Sequence, residues 1–164
     1  MIFPTTTRLT YWSSPLGPML LAGHDGGLLG VWFKQQKHYP AITGVSWGDH
    51  PTIVEAQTQL AAYFAGERSD FSLDLDLSSG TAFQQSVWQA LLTIPCGVTI
   101  SYSGLSQQMG KPSAVRAVAA AVGRNPCSIV VPCHRVLGSN GSLTGYAGGL
   151  ERKSALLSLE QRKP

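Results

Sequence analysis

The first 33 residues contain three short strand-like segments, and they constrain the fold more than any other feature of the chain. The segments run from Leu9 to Ser14, from Pro18 to Gly23 and from Leu28 to Phe33. Gly26 and Gly27 lie between the last two segments, where a tight hairpin turn needs residues that tolerate a positive φ. The sequence therefore predicts an antiparallel sheet at the start of the chain.

The rest of the first half predicts a loop, a helix and one more strand. Residues 34–50 lack a hydrophobic period and are predicted to form a surface loop. A helix is predicted from Thr52 to Ala65, with Ile53, Ala56, Leu60 and Phe64 on its apolar stripe. Residues 71–77 alternate apolar and polar side chains, which is typical of a strand. Ser78, Ser79 and Gly80 are the best candidate for a linker.

The second half has the pattern of helices. Thr81 and Gln84 have the spacing of a capping box, which predicts a helix start, and Pro95 is predicted to end that helix. Further helices are predicted at 103–109, 113–122 and 150–160. The helices at 103–109 and 113–122, joined by a tight turn, resemble a DNA-binding helix-turn-helix, although helical hairpins packed for structural reasons are more common.

We therefore expect an α+β fold with two parts. Residues 1–80 would form an N-terminal subdomain with a small antiparallel sheet and a helix. Residues 81–164 would form a mostly helical C-terminal subdomain with the helix-turn-helix and an active-site cysteine. A chain of 164 residues is long enough to bury the core of such a fold.

The charge distribution differs between these two parts. Residues 1–80 carry four basic and seven acidic side chains, whereas residues 81–164 carry eight basic and two acidic ones. A basic half suits a polyanion such as nucleic acid, but an ordinary solvated surface fits this modest excess equally well. Charge alone leaves both interpretations open.

The remaining composition excludes several classes of protein. No apolar run reaches membrane-spanning length, and the first residues lack the pattern of a secretory signal, so we expect a cytoplasmic protein without a membrane partner. The three cysteines, Cys96, Cys127 and Cys133, form no CxxC pair and are expected to be reduced thiols. We expect neither a metal nor a cofactor.

Cys133 is the strongest candidate for chemistry. It follows the apolar segment 128–131, predicted as a buried strand, and it precedes His134 and Arg135. A neighbouring imidazole and nearby cations can activate a thiol, and Glu160 is the more attractive of the two acids of this half for holding the imidazole. Adjacent side chains on an extended segment point apart, so His134 would act through a water or from a turn. The alternative is a buried structural cysteine beside a satisfied histidine, which a Cys-His pair alone does not exclude.

The second half resembles the O6-alkylguanine-DNA alkyltransferases. The resemblance covers residues 81–164 closely and the first half only in general layout. It is carried by Arg116-Ala-Val, Gly123-Arg-Asn-Pro126, Ile129-Val-Val-Pro-Cys-His-Arg-Val136, Thr144-Gly-Tyr-Ala-Gly-Gly-Leu-Glu-Arg-Lys153 and Glu160.

The resemblance implies roles for the residues around the thiol. Cys133 corresponds to the alkyl acceptor, and His134 to the base that deprotonates it through a water. Glu160 corresponds to the acid that orients His134. Asn125 corresponds to the residue that braces the turn before the active-site segment.

The resemblance also implies how substrate and DNA would be bound. Tyr102 corresponds to a tyrosine that contacts the guanine ring and helps the base to leave. Other matching positions belong to the guanine pocket or its surroundings: Val136, Tyr146, Ala147 and Lys153. Arg116 corresponds to the arginine that fills the gap left by a rotated nucleotide, on a helix whose small residues, including Ala117 and Ala121, would approach the minor groove.

The implied activity is direct reversal of DNA damage by a monomer. An alkyl group would move from O6-alkylguanine in double-stranded DNA, and also from O4-alkylthymine, to Cys133 in one irreversible turnover. Ala119 departs from a glycine common in the family, Ala147 replaces a serine of some members, and the first half lacks a cysteine-rich zinc region. Three other classes remain: a lesion-binding protein without chemistry, a cysteine hydrolase, and a DNA-binding regulator.

Overall fold

The computed structural model describes residues 1–162 and has the expected α+β architecture. The strands are β1 (Arg8–Ser14), β2 (Gly17–His24), β3 (Gly27–Phe33), β4 (Ser46–Trp47), β5 (Ile100–Ser101) and β6 (Val136–Leu137). One four-stranded sheet has the strand order β3-β2-β1-β4, and a second sheet contains only β5 and β6. The helices are α1 (Pro51–Phe64), α2 (Ala82–Leu91), α3 (Tyr102–Gln108), α4 (Val115–Gly123) and α5 (Leu150–Gln161).

The larger sheet is mixed rather than purely antiparallel. Strands β1, β2 and β3 pair antiparallel and lie within one residue of their predicted ends. Strand β4 pairs parallel to β1 through Arg8–Ser46 and Leu9–Trp47, inside the segment predicted to be a loop. The prediction was wrong here because a two-residue strand is too short to show an alternating pattern.

The strand predicted at residues 71–77 is also wrong. This segment makes one isolated parallel bridge, between Leu28 and Leu75, and Leu28 exchanges backbone hydrogen bonds with Asp74 and Asp76 at 2.8 and 2.9 Å. Leu77 is buried, and three alternate residues before it pack against the core: Phe71, Leu73 and Leu75. The alternating pattern therefore arises because every second side chain packs on the core. The segment lacks the ladder of backbone hydrogen bonds that defines a strand.

The start of α2 is confirmed in atomic detail. The backbone N–H of Gln84 donates to Oγ1 of Thr81 at 3.1 Å, and the N–H of Thr81 donates to Oε1 of Gln84 at 3.0 Å. This reciprocal pair is the predicted capping box. The helix ends at Leu91, before Pro95, so the proline is not the residue that stops it.

The two halves of the chain share one hydrophobic core. Buried side chains of the sheet and of α1 pack in the same cluster as those of α2, α4 and α5. Trp88 of α2 also donates its indole N–H to the carbonyl of Ala121 in α4, at 2.8 Å. This continuity fixes the helices of the second half relative to the sheet. Across residues 1–162, the structure contains no helix long and apolar enough to cross a membrane.

Candidate active site

A buried turn, and not the predicted strand, leads into Cys133. Cys127 bridges to Val31, and Val131 returns to hydrogen bond with the carbonyl of Cys127 at 2.9 Å. Ile129 sits at the tip of this turn with a φ of 73°. The residues of the apolar run are buried, as expected. An apolar run indicates burial, however, and does not distinguish a strand in the core from a turn in the core. Cys133 then opens a 3₁₀ turn, Cys133–Arg135.

Asn125 holds this turn closed. Its side-chain nitrogen donates to the carbonyl of Val131 at 2.8 Å, and its side-chain oxygen accepts from the N–H of Cys127 at 2.9 Å. Asn125 is itself buried, so these bonds form away from solvent. The structure thus places Asn125 where it braces the segment carrying Cys133.

Cys133 lies at the base of an open cavity of about 690 Å³. Its side chain is 6% exposed, and burial raises the pKa of its thiol. The Asn125 side chain and the positive charge of Lys153 oppose this effect. The cavity walls come from α3, α4 and residues 144–147, and they include Tyr102, Ala119, Gly145, Tyr146 and Ala147. A single planar ring would fit in this volume with its substituent near the sulfur.

His134 points away from solvent toward Glu160. Its Nε2 donates to Oε1 of Glu160 at 2.6 Å, with both side chains almost fully buried. Arg135 donates to the same carboxylate from Nη2 at 2.8 Å and from Nε at 2.9 Å. Glu160 therefore accepts hydrogen bonds from both of the side chains that directly follow Cys133 in the sequence.

The protonation states of this pair follow from its contacts. Burial would raise the pKa of Glu160, but hydrogen bonds from His134 and Arg135 outweigh it and hold the pKa well below its ordinary value. Burial lowers the pKa of His134, so the imidazole is neutral near pH 7. Because an ionised carboxylate only accepts, the proton of His134 is on Nε2 and Nδ1 keeps its lone pair. No hydrogen-bond partner for that Nδ1 exists within residues 1–162.

Lys153 joins α5 to the cavity wall. Its Nζ donates to three carbonyl oxygens, those of Val136 at 2.6 Å, Thr144 at 3.0 Å and Gly145 at 3.1 Å. The side chain is fully buried, and burial lowers its pKa. Lys153 is therefore a buried part of the site and not a solvated surface lysine.

The other predicted pocket residues differ in position. Tyr102 and Ala147 line the cavity, and the Tyr102 hydroxyl donates to the carbonyl of Thr144 at 3.2 Å. Tyr146 also lines the cavity, with burial raising the pKa of its phenol well above the ordinary value. Val136 is fully buried and does not line the cavity, so only its backbone, already bound by Lys153, is near the site.

Helix α4 presents only part of the predicted DNA-binding set. Arg116 and Ala117 are exposed, and Arg116 is three and four residues before Ala119 and Ala120 of the cavity wall. Residues at this spacing share one helix face. Ala121 is 2% exposed and packs in the core, so the prediction that it contacts DNA was wrong. An alanine-rich helix shows no sequence difference between its outer and inner faces.

Several side chains at the site were missed in the sequence. Lys37 and His38 line the cavity from the segment before β4, with Arg124 from the end of α4. The backbone N–H of Lys37 donates to the carbonyl of Ala147 at 3.0 Å, which ties that segment to the cavity wall. Lys37 and His38 precede Cys133 by 96 and 95 positions and lie in a segment without periodic pattern, so no sequence signal indicated them. Arg124 stands within the Gly123–Pro126 motif of the resemblance, but no role was assigned to it.

The fold and site together define a class: an α+β protein with a buried cysteine at the base of an open cavity, beside a histidine–glutamate pair. Two family models match the chain in succession. Residues 7–77 match the 6-O-methylguanine DNA methyltransferase, ribonuclease-like domain, and residues 82–162 match the DNA binding domain of the same family. The chain belongs to the 6-O-methylguanine DNA methyltransferase family.

Individual relatives agree with this assignment. The chain is 51% identical over 151 residues to the methylated-DNA--protein-cysteine methyltransferase of Mycobacterium leprae, covering 92% of this chain and 90% of that protein. It is 49% identical to the protein of the same name from Methanosarcina acetivorans, covering 90% and 94%. A Mycobacterium tuberculosis OGT solved in complex with DNA superposes with a TM-score of 0.88 at 49% identity, covering 94% of this chain and 93% of that one.

Proposed function

We propose that this protein repairs alkylated DNA by transferring the alkyl group from O6 of guanine to Sγ of Cys133. The observation that carries the proposal is the position of Cys133 at the base of a cavity that is open to solvent. The named relatives are methylated-DNA--protein-cysteine methyltransferases, and one related structure contains DNA. We extend the substrate class to O4-alkylthymine on the family resemblance alone.

The first step is loss of the thiol proton. The neutral His134 has an acceptor lone pair on Nδ1 while its Nε2 is held by Glu160. His134 takes the proton from Cys133 through a water, and the ionised Glu160 stabilises the imidazolium that forms. Lys153 and Asn125 favour the thiolate, because each lowers the pKa that burial raises.

In the second step the thiolate attacks the alkyl carbon. A carbon–sulfur bond forms as the bond from that carbon to O6 breaks, and guanine leaves with the electron pair. Burial raises the pKa of Tyr102, so its hydroxyl stays protonated and can donate to the departing base. A thioether is not cleaved by thiol exchange, so each chain reacts once.

Binding of DNA uses α3 and α4 as a helix-turn-helix. The target guanine must leave the base stack to reach a thiol that is 6% exposed, at a cost of a few kcal/mol. Arg116 lies on the helix face that continues into the cavity and fills the gap left in the duplex. We further propose that the protein acts as a monomer in the cytoplasm, needs no metal or cofactor, and divides into subdomains at residue 80.

The test is the intact mass of the protein after incubation with a duplex that contains O6-methylguanine. We expect a gain of one methyl group that saturates at one per chain, located on Cys133 by peptide mapping. A folded protein that binds the duplex with unchanged mass would instead be a lesion-binding protein. Release of more than one product per chain would indicate a hydrolase.

The substitution Arg116→Ala tests the role of α4. Transfer from the duplex lesion should slow by about tenfold or more, because stabilising the rotated nucleotide is worth a few kcal/mol and 1.4 kcal/mol corresponds to tenfold. Transfer from free O6-methylguanine should be unchanged, since no duplex has to be opened. Single-turnover rates on both substrates make the comparison.

Lys34→Ala is the matched control for Arg116→Ala. It removes one exposed positive charge directly after β3, where the Lys34 ammonium lies 5.3 Å from the centre of the Tyr11 ring. If Lys34→Ala slows duplex repair as much as Arg116→Ala does, the effect is general electrostatics and the insertion role is wrong.

A further inference from the structure

Tyr63 joins the first half of the chain to the proposed catalytic centre. It lies in the last turn of α1, one residue before the helix ends, and its side chain is fully buried. Its hydroxyl donates to Oε1 of Glu160 at 2.8 Å, across 97 positions of sequence. The same oxygen accepts the 2.6 Å hydrogen bond from His134. One carboxylate oxygen is thus shared by the histidine and a residue of the first half.

We propose that Tyr63 is a positioning residue that fixes Oε1 of Glu160 against Nε2 of His134 and sets the basicity of that histidine. The inference rests on the proposed function, in which His134 takes the proton of Cys133. It gives the first half of the chain a role in the reaction, exerted through Glu160, besides stabilising the fold.

The geometry leaves Glu160 little freedom. Nε and Nη2 of Arg135 bind both of its oxygens, and the N–H of Gly97 approaches Oε2 at 3.4 Å. Arg135 is anchored in turn through Nη1, which donates to the carbonyl of Ile94 at 2.5 Å. Tyr63 supplies the remaining donor on the Oε1 side. Among the described residues, all hydrogen-bond donors to this carboxylate lie outside α5, the helix that carries Glu160.

The hydroxyl of Tyr63 is a permanent donor. Burial and then the charge of Glu160 raise the pKa of the phenol far above its ordinary value, so it stays protonated at any working pH. A hydrogen bond to a carboxylate spreads its charge and makes it a weaker partner for a neighbouring imidazolium. Tyr63 therefore opposes protonation of His134 while it keeps Glu160 in place.

Within residues 1–162, three charged side chains act on the pKa of His134. Glu160 favours the protonated imidazole, whereas Arg135 and Lys153 oppose it. Tyr63 faces Glu160, and Cys96 is the further titratable group near the phenol. Removing the hydroxyl of Tyr63 changes one hydrogen bond within this set and no net charge.

The substitution Tyr63→Phe tests the proposal through the pH profile of methyl transfer. Single-turnover rates are measured by intact mass on a duplex with O6-methylguanine, between about pH 5 and pH 9, a range that spans the ordinary histidine pKa. The transfer rate should fall by about tenfold, a fraction of the roughly 10²- to 10⁴-fold that a well-placed general base contributes. The acid limb should move to higher pH, because Oε1 then holds the imidazolium more strongly and His134 loses its proton at higher pH.

Ile53→Val is the matched control. It removes one methylene from the fully buried face of the same helix, and Ile53 can give Glu160 no hydrogen bond. This variant should keep the wild-type acid limb even if it lowers stability. An acid limb in Tyr63→Phe that coincides with wild type would overturn the proposal, whatever happens to the rate.

A second variant protects the test against poor folding of Tyr63→Phe. Incorporation of 3-fluorotyrosine at position 63 keeps the ring and hydroxyl but makes the phenol a stronger donor, so the acid limb should move to lower pH. A limb that does not move would also refute the proposal. Failure of the proposed function looks different, because the wild-type protein itself would then gain no methyl group.

Discussion

Cys133→Ala is expected to abolish methyl transfer completely while leaving binding to lesion-containing duplex intact. The substitution removes the only atom that we propose to form a bond with the alkyl group. It leaves Arg116, Tyr102 and the cavity wall unchanged, so the lesion can still be bound. Intact mass measures the transfer, and a gel-shift titration with the same duplex measures the affinity.

Cys127→Ala is the matched control for the acceptor assignment. Cys127 is also a buried thiol, six residues before Cys133 at the start of the turn that leads to it, but it does not line the cavity. Burial raises the pKa of Cys127 to about 12, so its thiolate is scarce. This variant should still accept one methyl group per chain. A methyl gained by Cys133→Ala, on Cys96 or Cys127, would show that the acceptor assignment is wrong.

Glu160→Gln is expected to lower the free energy of unfolding at pH 7 by about 3–5 kcal/mol, the usual cost of breaking a buried ion pair. The guanidinium of Arg135, 5% exposed, would lose its charged partner, and Tyr63 and His134 would face an amide in place of a carboxylate. Methyl transfer should slow as well, because His134 loses the anion that stabilises its imidazolium. Urea denaturation followed by tryptophan fluorescence measures the stability.

The same substitution predicts a pH dependence with a definite sign. The pKa of Glu160 is depressed in the folded protein, so its contribution is fully present above the ordinary value of 4.5 and is lost as the pH falls below it. The stability difference between wild type and Glu160→Gln should therefore be largest near pH 7 and should shrink on acidification below about pH 4.5.

Glu151→Gln is the control for this pH dependence. Glu151 is exposed in the first turn of the same helix, α5, and neutralising it should change stability by less than about 0.5 kcal/mol. A Glu160→Gln protein with the same deficit at pH 7 and pH 3 would contradict an ionised, hydrogen-bonded Glu160. A deficit no larger than that of Glu151→Gln would contradict the buried pair itself.

The buried network around Glu160 shows how far the sequence alone can reach. The resemblance connected Glu160 with His134, and the structure joins them at 2.6 Å. Tyr63 was missed because the helix stripe was drawn through Ile53, Ala56, Leu60 and Phe64. The stripe in the structure passes through Tyr63, one position earlier. A period of 3.6 residues allows either position, and only the tertiary contacts of the helix select between them.

Local patterns were reliable where the cause of the structure is local. The strand ends of β1, β2 and β3 and the capping box of α2 depend on neighbouring residues, and the sequence predicted each of them. The strand predicted at 128–131 was wrong, because a buried turn closed by Asn125 produces the same apolar run.

The amino-acid sequence by itself determined the α+β class, the first three strands and the candidate nucleophile with its histidine, because alternation, caps and short motifs are written in adjacent residues. Tertiary structure alone decided that Ala121 lies inside the core, that Lys37 reaches the cavity, and that Tyr63 shares a carboxylate oxygen with His134. These contacts join segments far apart in the chain. The free energy of these contacts depends on burial and on hydrogen-bond geometry in the folded protein. Neither property produces a periodic pattern in the sequence.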